Sequence, residues 1–143
     1  GKVPLSLKRM AGYMASRSAG CMYCSSHTAE TASVVDGVPP EKVAAIWEYE
    51  TSDLFDEAER AALRMAQGAG VSPNDVSDED MENLRKYFDD DQIVELVAAV
   101  CLFGWLNRWN DTMATDLEPR PLEFGLTNLS DSGWKPGKHV SGN

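Results

Sequence analysis

Three side chains capable of redox or metal chemistry lie within seven residues of this sequence, at Cys21, Cys24 and His27. They are spaced three residues apart, so on a helix they project from one side, one above the other. Two thiols and an imidazole on one face suit either thiol–disulfide chemistry or metal binding. The stretch 20–28 is therefore the predicted functional centre of the chain.

The redox interpretation gives each of these side chains a separate task. Gly20 can end one helix, which places Cys21 at the N-terminus of the next, where unpaired N–H groups and the helix dipole favour a thiolate. Cys24, one turn further along, can form a disulfide with Cys21 with little movement. His27 can exchange a proton with Cys24 or with a leaving oxygen. A peroxide reaction requires a thiolate, a proton donor and a resolving thiol of this kind.

Zinc binding is the main alternative for the same side chains. A closed zinc site has four ligands, usually arranged as two separated pairs. Cys101, which we expect to pack inside an apolar helix, and His139, which we expect to be solvated, have no partner at ligand spacing. The missing second pair makes metal binding less favoured than redox chemistry. A third interpretation, that the cysteines are small core residues, is weakened by the neighbouring imidazole.

Several polar residues elsewhere are candidates for a supporting role. Glu30 lies three residues beyond His27 and could orient its imidazole, although a position on a solvated helix face is the favoured interpretation. Glu95 is the lone acid in a long apolar run and would be a proton carrier if buried. The end of the same predicted helix carries three polar residues on one face, namely Asn107, Asn110 and Asp111. They could form a network against the cysteines, a subunit interface or a simple polar helix end.

The composition describes a folded acidic protein and excludes several classes of partner. The 143 residues, 43% of them hydrophobic, suffice for one domain with a core. A formal net charge of −10 repels nucleic acids and anionic membranes. Lys8 and Arg9 interrupt the early apolar residues, so we expect no signal peptide, and the apolar run 93–106 is shorter than the ~20 residues of a membrane span. Three cysteines without an export signal favour a cytoplasmic protein.

Helix signals dominate the chain, and alternation typical of strands is absent. We predict an all-α fold with six helices, over residues 4–19, 21–35, 40–47, 56–67, 78–88 and 92–113. The last of these is apolar nearly all round, which predicts a central, covered helix. Prolines and glycines after residue 118 predict an irregular, extended arm over 119–143. The arm carries apolar side chains that could pack on a partner subunit or back on its own domain.

The segment from Ala19 to Thr28, AGCMYCSSHT, resembles the signature of the AhpD-like alkylhydroperoxidase/carboxymuconolactone decarboxylase family. The segments 55–63, 92–97 and 103–111 resemble later helices of that family in order and spacing, so the resemblance covers about residues 3–118. It implies a single all-α domain of about six helices over 1–143, with a helical core at 1–118, that assembles as a homo-oligomer. Many members are longer at the N-terminus, so we expect this chain to lack an N-terminal segment.

The peroxidase branch of the family carries the CxxC pair found here, whereas the decarboxylase branch need not, so the resemblance implies a hydroperoxide-reducing enzyme. It assigns the attacking thiol to Cys24, the resolving thiol to Cys21 and a proton-relay role to His27. This order differs from the dipole argument, which favours a thiolate at Cys21. The implied reductant is a dithiol or a lipoylated protein, with no cofactor and no metal.

The chain departs from the peroxidase branch at two positions. The branch has a glutamate about three turns before the first cysteine, where this chain has Arg9, and no acid precedes Glu30. The histidine of the branch usually sits one residue later, where this chain has Thr28. We expect an acid from another helix to complete the relay, with three candidates, namely Glu48, Glu50 and Glu95.

Overall fold

The computed structural model describes residues 1–142, which form seven α-helices and no strands, so the predicted all-α fold is confirmed. The helices are α1 (Leu5–Ser18), α2 (Met22–Val34), α3 (Pro40–Ala44), α4 (Glu57–Ala69), α5 (Asp78–Arg85), α6 (Asp90–Met113) and α7 (Pro119–Asn128). Three 3-10 turns accompany them, at Ile46–Glu48, Ser130–Ser132 and Gly137–His139. Within the described part of the chain, none of the helices combines the length and apolar character that a membrane crossing requires.

Side-chain caps set the starts of three helices, including α6, which contributes to the site described below. Asp56, Ser77 and Asp89 each accept a hydrogen bond from the third residue of the helix they precede, and that residue returns one to the cap, which completes a capping box at α4, α5 and α6. Gly20 takes a positive φ of 80° between α1 and α2, a conformation that glycine adopts at little cost. The chain therefore turns sharply just before the cysteines.

The most buried helix is α1, which packs against α2, α4 and α6. Gly12 allows the close approach of α6, because a Cβ atom there would lie 2.3 Å from Cδ2 of Phe103. The first helix thereby fixes the position of α6 relative to the cysteine helix α2. The prediction that α6 is the central helix is wrong for a single chain.

A long apolar face of α6 is open to solvent. Its exposed side chains are Val94, Val97, Leu102, Trp105, Trp109 and Met113. Trp105 and Trp109 stack on each other with ring centroids 5.8 Å apart. Cys101, which we predicted to pack inside, lies on the exposed surface as well. The sequence pattern was apolar all round, but only one stripe of it contacts the described chain.

The segment after residue 118 is more regular than predicted. Pro119 and Pro121 lie in the first turn of α7, where a helix needs no N–H donor, so they start a helix rather than prevent one. This helix packs against α2. Beyond it Trp134 is buried, and its indole N–H donates to the carbonyl of Met22 and to the hydroxyl of Ser25 at 3.0 and 3.2 Å. The arm therefore packs back on its own chain, and directly on the cysteine helix.

Candidate active site

The two cysteines lie at the start of α2, as their spacing predicts. Cys21 is the N-cap residue, and its sulfur accepts a hydrogen bond from the backbone N–H of Cys24 at 3.3 Å. Both side chains are buried, and neither is part of a disulfide. Two adjacent reduced thiols in a largely dry environment can be oxidised to a disulfide without rearrangement of the fold.

The surroundings of the two thiols differ, and this separates their pKa values. A hydrogen bond from the Cys21 thiol lowers the pKa of Cys24; burial opposes this, and the amide of Asn110 lowers the pKa further. The same thiol–thiol contact and burial raise the pKa of Cys21. Of the two thiols, Cys24 is therefore the one that loses its proton more readily. The dipole argument for Cys21 fails because it considers the helix end alone and not the contact with Cys24.

Asn110 is the residue that reaches Cys24 from another helix. Its Nδ2 atom lies 3.5 Å from the Cys24 sulfur and 3.0 Å from the carbonyl oxygen of Leu106 on the preceding turn of α6. The amide is buried, so its hydrogen bond to sulfur faces little competition from water. It is one member of the predicted polar face of α6, and this part of that face does lie against the cysteines.

We expect Asn110→Ala to raise the pKa of Cys24, because a donor that stabilises the thiolate is lost. A thiolate reacts and a thiol does not, so the pH curve for alkylation of Cys24 should move to higher pH, with a lower rate at neutral pH. Iodoacetamide labelling followed by peptide mass spectrometry gives the curve. Asn107→Ala is the matched control, since that side chain accepts from Ser16 at 2.9 Å. Equal curves for the two variants would contradict the assignment.

His27 belongs to a second polar group on the same helix. Its Nε2 atom contacts the carboxylate of Glu118, and the hydroxyl of Tyr23 donates to the other carboxylate oxygen at 3.0 Å. The Tyr23 and His27 rings lie side by side, with centroids 4.4 Å apart. Glu118 is the residue immediately before α7, so the first turn of that helix holds it against α2.

The charge of this group is concentrated on the carboxylate. Partial burial works to raise the pKa of Glu118, but its own backbone N–H, the Tyr23 hydroxyl and His27 lower it overall. Burial and the adjacent carboxylate raise the pKa of Tyr23 to about 12. Glu118 is therefore an anion and Tyr23 a neutral donor at neutral pH. Together they can hold the imidazole in one orientation.

Glu30 and Glu95, two of the predicted relay acids, serve other contacts. Glu30 accepts from the Arg120 guanidinium at 2.7 Å and makes no hydrogen bond to His27 within residues 1–142. Glu95 accepts from the backbone N–H groups of Lys2 and Val3 at 2.6 and 3.0 Å and from the Lys8 ammonium at 3.3 Å. These contacts, against a small desolvation effect, lower the pKa of Glu95 to about 2. The proton-carrier role predicted for a buried Glu95 does not apply, because the side chain is only partly buried and binds the N-terminal segment.

Asp111 and His139 form a third group beside Cys21. His139 is only 2% exposed, which corrects the prediction of a solvated tail residue. Its Nε2 atom lies 3.1 Å from Asp111 Oδ1 and its Nδ1 atom 2.8 Å from the carbonyl of Thr115. The backbone N–H of Leu117 donates to the His139 carbonyl at 2.8 Å and ties the tail to the end of α6. The spacing of residues in the sequence did not indicate that the C-terminal segment folds back to the end of α6.

Asn107, another predicted supporting residue, lies one turn away from these groups. It is buried, and its Nδ2 atom has no hydrogen-bond partner among residues 1–142. It lines a groove of about 620 Å³ together with Arg108, Asp111 and Lys138. Neither cysteine lines this groove, so it meets the thiol pair only through Asp111. The groove is thus an approach to the buried side of the pair and not the reaction centre itself.

Several solved structures share this fold. The debrominase Bmp8 is 36% identical, with a TM-score of 0.83 over 87% of this chain and 66% of its own. A cysteine-to-alanine variant of Bmp8 in complex with 2,3,4-tribromopyrrole gives the same TM-score. A protein of unknown function from Agrobacterium tumefaciens, suggested to be the antioxidant defence protein AhpD, is 22% identical with a TM-score of 0.72 over 78% of this chain and 77% of its own. The chain therefore has the AhpD-like helical fold.

Two curated relatives are uncharacterized proteins. YnjA of Escherichia coli K12 is 34% identical over 73 residues, which is 51% of this chain and 40% of YnjA. YdfG of Bacillus subtilis 168 is 26% identical over 93 residues, 64% of this chain and 60% of YdfG. The chain thus spans less than two thirds of the length of both relatives. No family model matches the chain.

The acid that contacts His27 is Glu118, which is none of the acids predicted from the sequence. Arg9, where the peroxidase branch has a glutamate, binds Asp36 at 3.1 Å. Glu48 and Glu50 are both exposed, and Glu50 accepts from the Tyr49 hydroxyl. None of the three predicted substitutes contacts the imidazole within residues 1–142, and Glu118 does. Sequence reasoning missed it because the arm was predicted to be irregular. Two features of the sequence could have indicated Glu118. Pro119 can begin a helix directly after it, and Tyr23 and His27 offer polar partners one turn apart on α2.

Proposed function

We propose that the protein is a thiol-dependent oxidoreductase that reduces hydroperoxides with Cys24 as the attacking thiolate and Cys21 as the resolving thiol. The observation that carries this proposal is the asymmetry of the buried pair. Cys24 is stabilised as a thiolate by Cys21 and Asn110, and Cys21 stays protonated. Peroxide reduction uses one nucleophilic and one waiting thiol in this way.

In the first step the Cys24 thiolate attacks the terminal oxygen of the hydroperoxide. The S–O bond forms, the O–O bond breaks, and the departing alkoxide takes a proton from His27. Glu118 holds the imidazole in place for this transfer, since its carboxylate contacts the ring. His27 makes no hydrogen bond to Cys24 within the described residues, so the substrate oxygen would lie between the two side chains. The products are an alcohol and a sulfenic acid on Cys24.

In the second step the Cys21 sulfur attacks the sulfenic acid. The S–S bond forms and the hydroxyl leaves as water, with the proton that Cys21 gives up. Two thiols thereby supply two electrons, and the hydroperoxide becomes one alcohol and one water. A dithiol or lipoylated protein would reduce the resulting disulfide by thiol–disulfide exchange and close the cycle.

Reductive debromination is a second candidate, favoured by the 36% identity to the debrominase Bmp8 over 87% of this chain. The same pair could supply its electrons. A bromoarene and two thiols would give the arene hydrogen compound, bromide, a proton and the Cys21–Cys24 disulfide. Both candidates therefore depend on oxidation of one cysteine pair and differ in the group that leaves.

Titration of the thiols with one equivalent of an alkyl hydroperoxide tests the proposal. We expect two of the three thiols to disappear, with a Cys21–Cys24 disulfide found by peptide mass spectrometry. Cys101 is the internal control, since it is exposed and should stay reduced. A parallel sample receives a brominated pyrrole, and bromide release with the same disulfide would favour debromination. If Cys21 and Cys24 stay reduced with both compounds, neither candidate function is correct.

We also propose that the chain forms a homo-oligomer through the open face of α6, which is apolar along its length. Wild-type protein should sediment at a multiple of 15.7 kDa. Trp109→Glu should shift it toward the monomer, because a charge is then placed in the buried contact. Leu126→Glu on α7, at a similarly exposed apolar position, is the control and should leave the mass unchanged. A wild-type mass of one chain would contradict the proposal.

A further inference from the structure

Three potential metal ligands that the proposed redox cycle does not use together converge beside Cys21. The Cys21 sulfur, a carboxylate oxygen of Asp111 and a ring nitrogen of His139 all lie within 4.8 Å of one another. They come from the start of α2, the end of α6 and the last 3-10 turn, so only the folded chain brings them together. Cys21 and His139 are buried, and Asp111 is partly exposed toward the groove.

The hydrogen bonds of His139 direct a lone pair into this cluster. A carbonyl oxygen only accepts, so the contact with Thr115 places the hydrogen on Nδ1. Nε2 of the neutral ring then has a lone pair, yet it faces an Asp111 oxygen at 3.1 Å. Two acceptors so close repel each other unless a second proton or a cation lies with them. A metal ion would bind both.

The donor atoms and their separations suit zinc. Zinc binds sulfur at about 2.3 Å and nitrogen or oxygen at about 2.0–2.2 Å in a tetrahedron, which places neighbouring ligand atoms roughly 3.3–3.6 Å apart. The Nε2–Oδ1 pair is already near that range, and the sulfur lies within 4.8 Å of both. The Thr115 carbonyl orients the imidazole as partners of metal-bound histidines do. The Cys24 N–H would stabilise a bound Cys21 thiolate.

We propose that the reduced protein binds one Zn²⁺ ion through Cys21, Asp111 and His139, with water as the fourth ligand. Our sequence-based zinc alternative used Cys24 and His27, and neither belongs to this set. A Cys21 sulfur held by zinc cannot attack a sulfenic acid on Cys24. The ion would therefore inhibit disulfide formation, and oxidation of the pair would release it. This consequence rests on the proposed function, whereas the binding itself does not.

Cobalt(II) is the probe, because it occupies zinc sites and its thiolate charge-transfer absorption reports a metal–sulfur bond. Reduced full-length protein, freed of thiol reagents, should bind one equivalent of Co²⁺ with that absorption, and Zn²⁺ should remove it. We expect His139→Ala and Asp111→Asn each to weaken binding at least about tenfold, and Cys21→Ser to abolish the charge-transfer band. Absence of Co²⁺ binding by the reduced wild-type protein overturns the proposal.

The chain offers a matched control for each of two proposed ligands. His27 is the second histidine of the chain and the control for His139, and Cys24 is the control for Cys21. His27→Ala and Cys24→Ser should bind Co²⁺ as the wild-type protein does. Loss of binding in His27→Ala with retention in His139→Ala would place the ion elsewhere and overturn the proposal. Far-UV circular dichroism of each variant separates a lost ligand from a lost fold, and Asp111→Asn provides a second, nearly isosteric test.

Zinc release separates the site from the proposed function. Zinc-loaded protein is treated with an alkyl hydroperoxide in the presence of a chromophoric zinc chelator of low affinity. Release of one Zn²⁺ for each disulfide formed supports both proposals. A parallel sample of metal-free protein tests the peroxidase function, because no ion then holds Cys21. Thiols that stay reduced in that sample, with Co²⁺ binding intact, contradict the peroxidase function and leave the metal site standing. Disulfide formation without zinc release would contradict the site.

Discussion

Cys24→Ser protein should consume no hydroperoxide above the rate of an ordinary exposed thiol. The substitution removes the only thiol of the pair whose pKa is lowered, and a serine hydroxyl is a far weaker nucleophile at neutral pH. Cys101 remains available in this variant and sets the background rate. Hydroperoxide loss with a saturating dithiol reductant is the measurement.

Cys21→Ser is the matched variant and should behave differently. Cys24 is still present, so the first equivalent of hydroperoxide should be consumed and a sulfenic acid should accumulate. A sulfenic-acid trap such as dimedone would then label Cys24, and mass spectrometry would locate the label. The wild-type protein should give little label because Cys21 resolves the intermediate. Label found on Cys21 in the Cys24→Ser variant instead would reverse the assignment of the two roles.

The part of the site that lies within one helix could be predicted from the sequence. A spacing of three residues fixes the relative position of Cys21, Cys24 and His27 once α2 forms, and Gly20 fixes where it starts. The helices with side-chain caps were likewise predictable, because capping depends on neighbours in the chain. These predictions rest on local geometry and hold whatever the tertiary packing.

The residues that complete the site come from distant parts of the chain. Among them only Asn110 was a candidate in the sequence, with contact to the cysteines as one of three alternatives. Asn110, Glu118 and His139 reach α2 only because α6 crosses it and the chain then returns over it. Pro119 and Pro121 predict an irregular arm, although the first turn of a helix accepts proline. An irregular arm gave no reason to place Glu118 beside His27, and it led to the prediction that His139 is solvated.

The sequence also could not predict which side chains of α6 are buried. Cys101 and Glu95 lie among apolar residues, a pattern that predicted a buried position for Cys101 and left the burial of Glu95 open. The apolar pattern could not distinguish contact with the chain's own core from contact with a second chain. In the described structure the outer stripe is open, and Glu95 meets the N-terminal segment.

Removal of the proton donor should produce the second large effect. His27→Gln should lower the rate of hydroperoxide consumption by about 10²–10⁴-fold, the usual contribution of a positioned acid. Alkylation of Cys24 should change far less, because the imidazole makes no hydrogen bond to that sulfur within residues 1–142. Comparison of peroxide turnover with alkylation therefore separates loss of a proton donor from loss of the nucleophile.

Glu118→Gln should lower turnover by up to about a hundredfold, since it acts by holding the imidazole in place. The pKa of this carboxyl is lowered, so it stays ionised until the pH falls below the ordinary glutamate range; the contribution is present above that pH and is lost below it. The variant should lack this acidic limb of the pH–rate profile. Tyr23→Phe removes one hydrogen bond to the same carboxylate and serves as the milder control.

A double-mutant cycle decides whether Glu118 acts through His27. If it does, Glu118→Gln should cost little once His27 is already glutamine, because the partner it orients is absent. Rates for the four proteins, measured at one pH with one hydroperoxide, give the coupling directly. Fully additive losses would show that Glu118 contributes independently, for example by holding α7 against α2. In that case the imidazole would depend on another group for its orientation, and the relay assigned to this pair would be wrong.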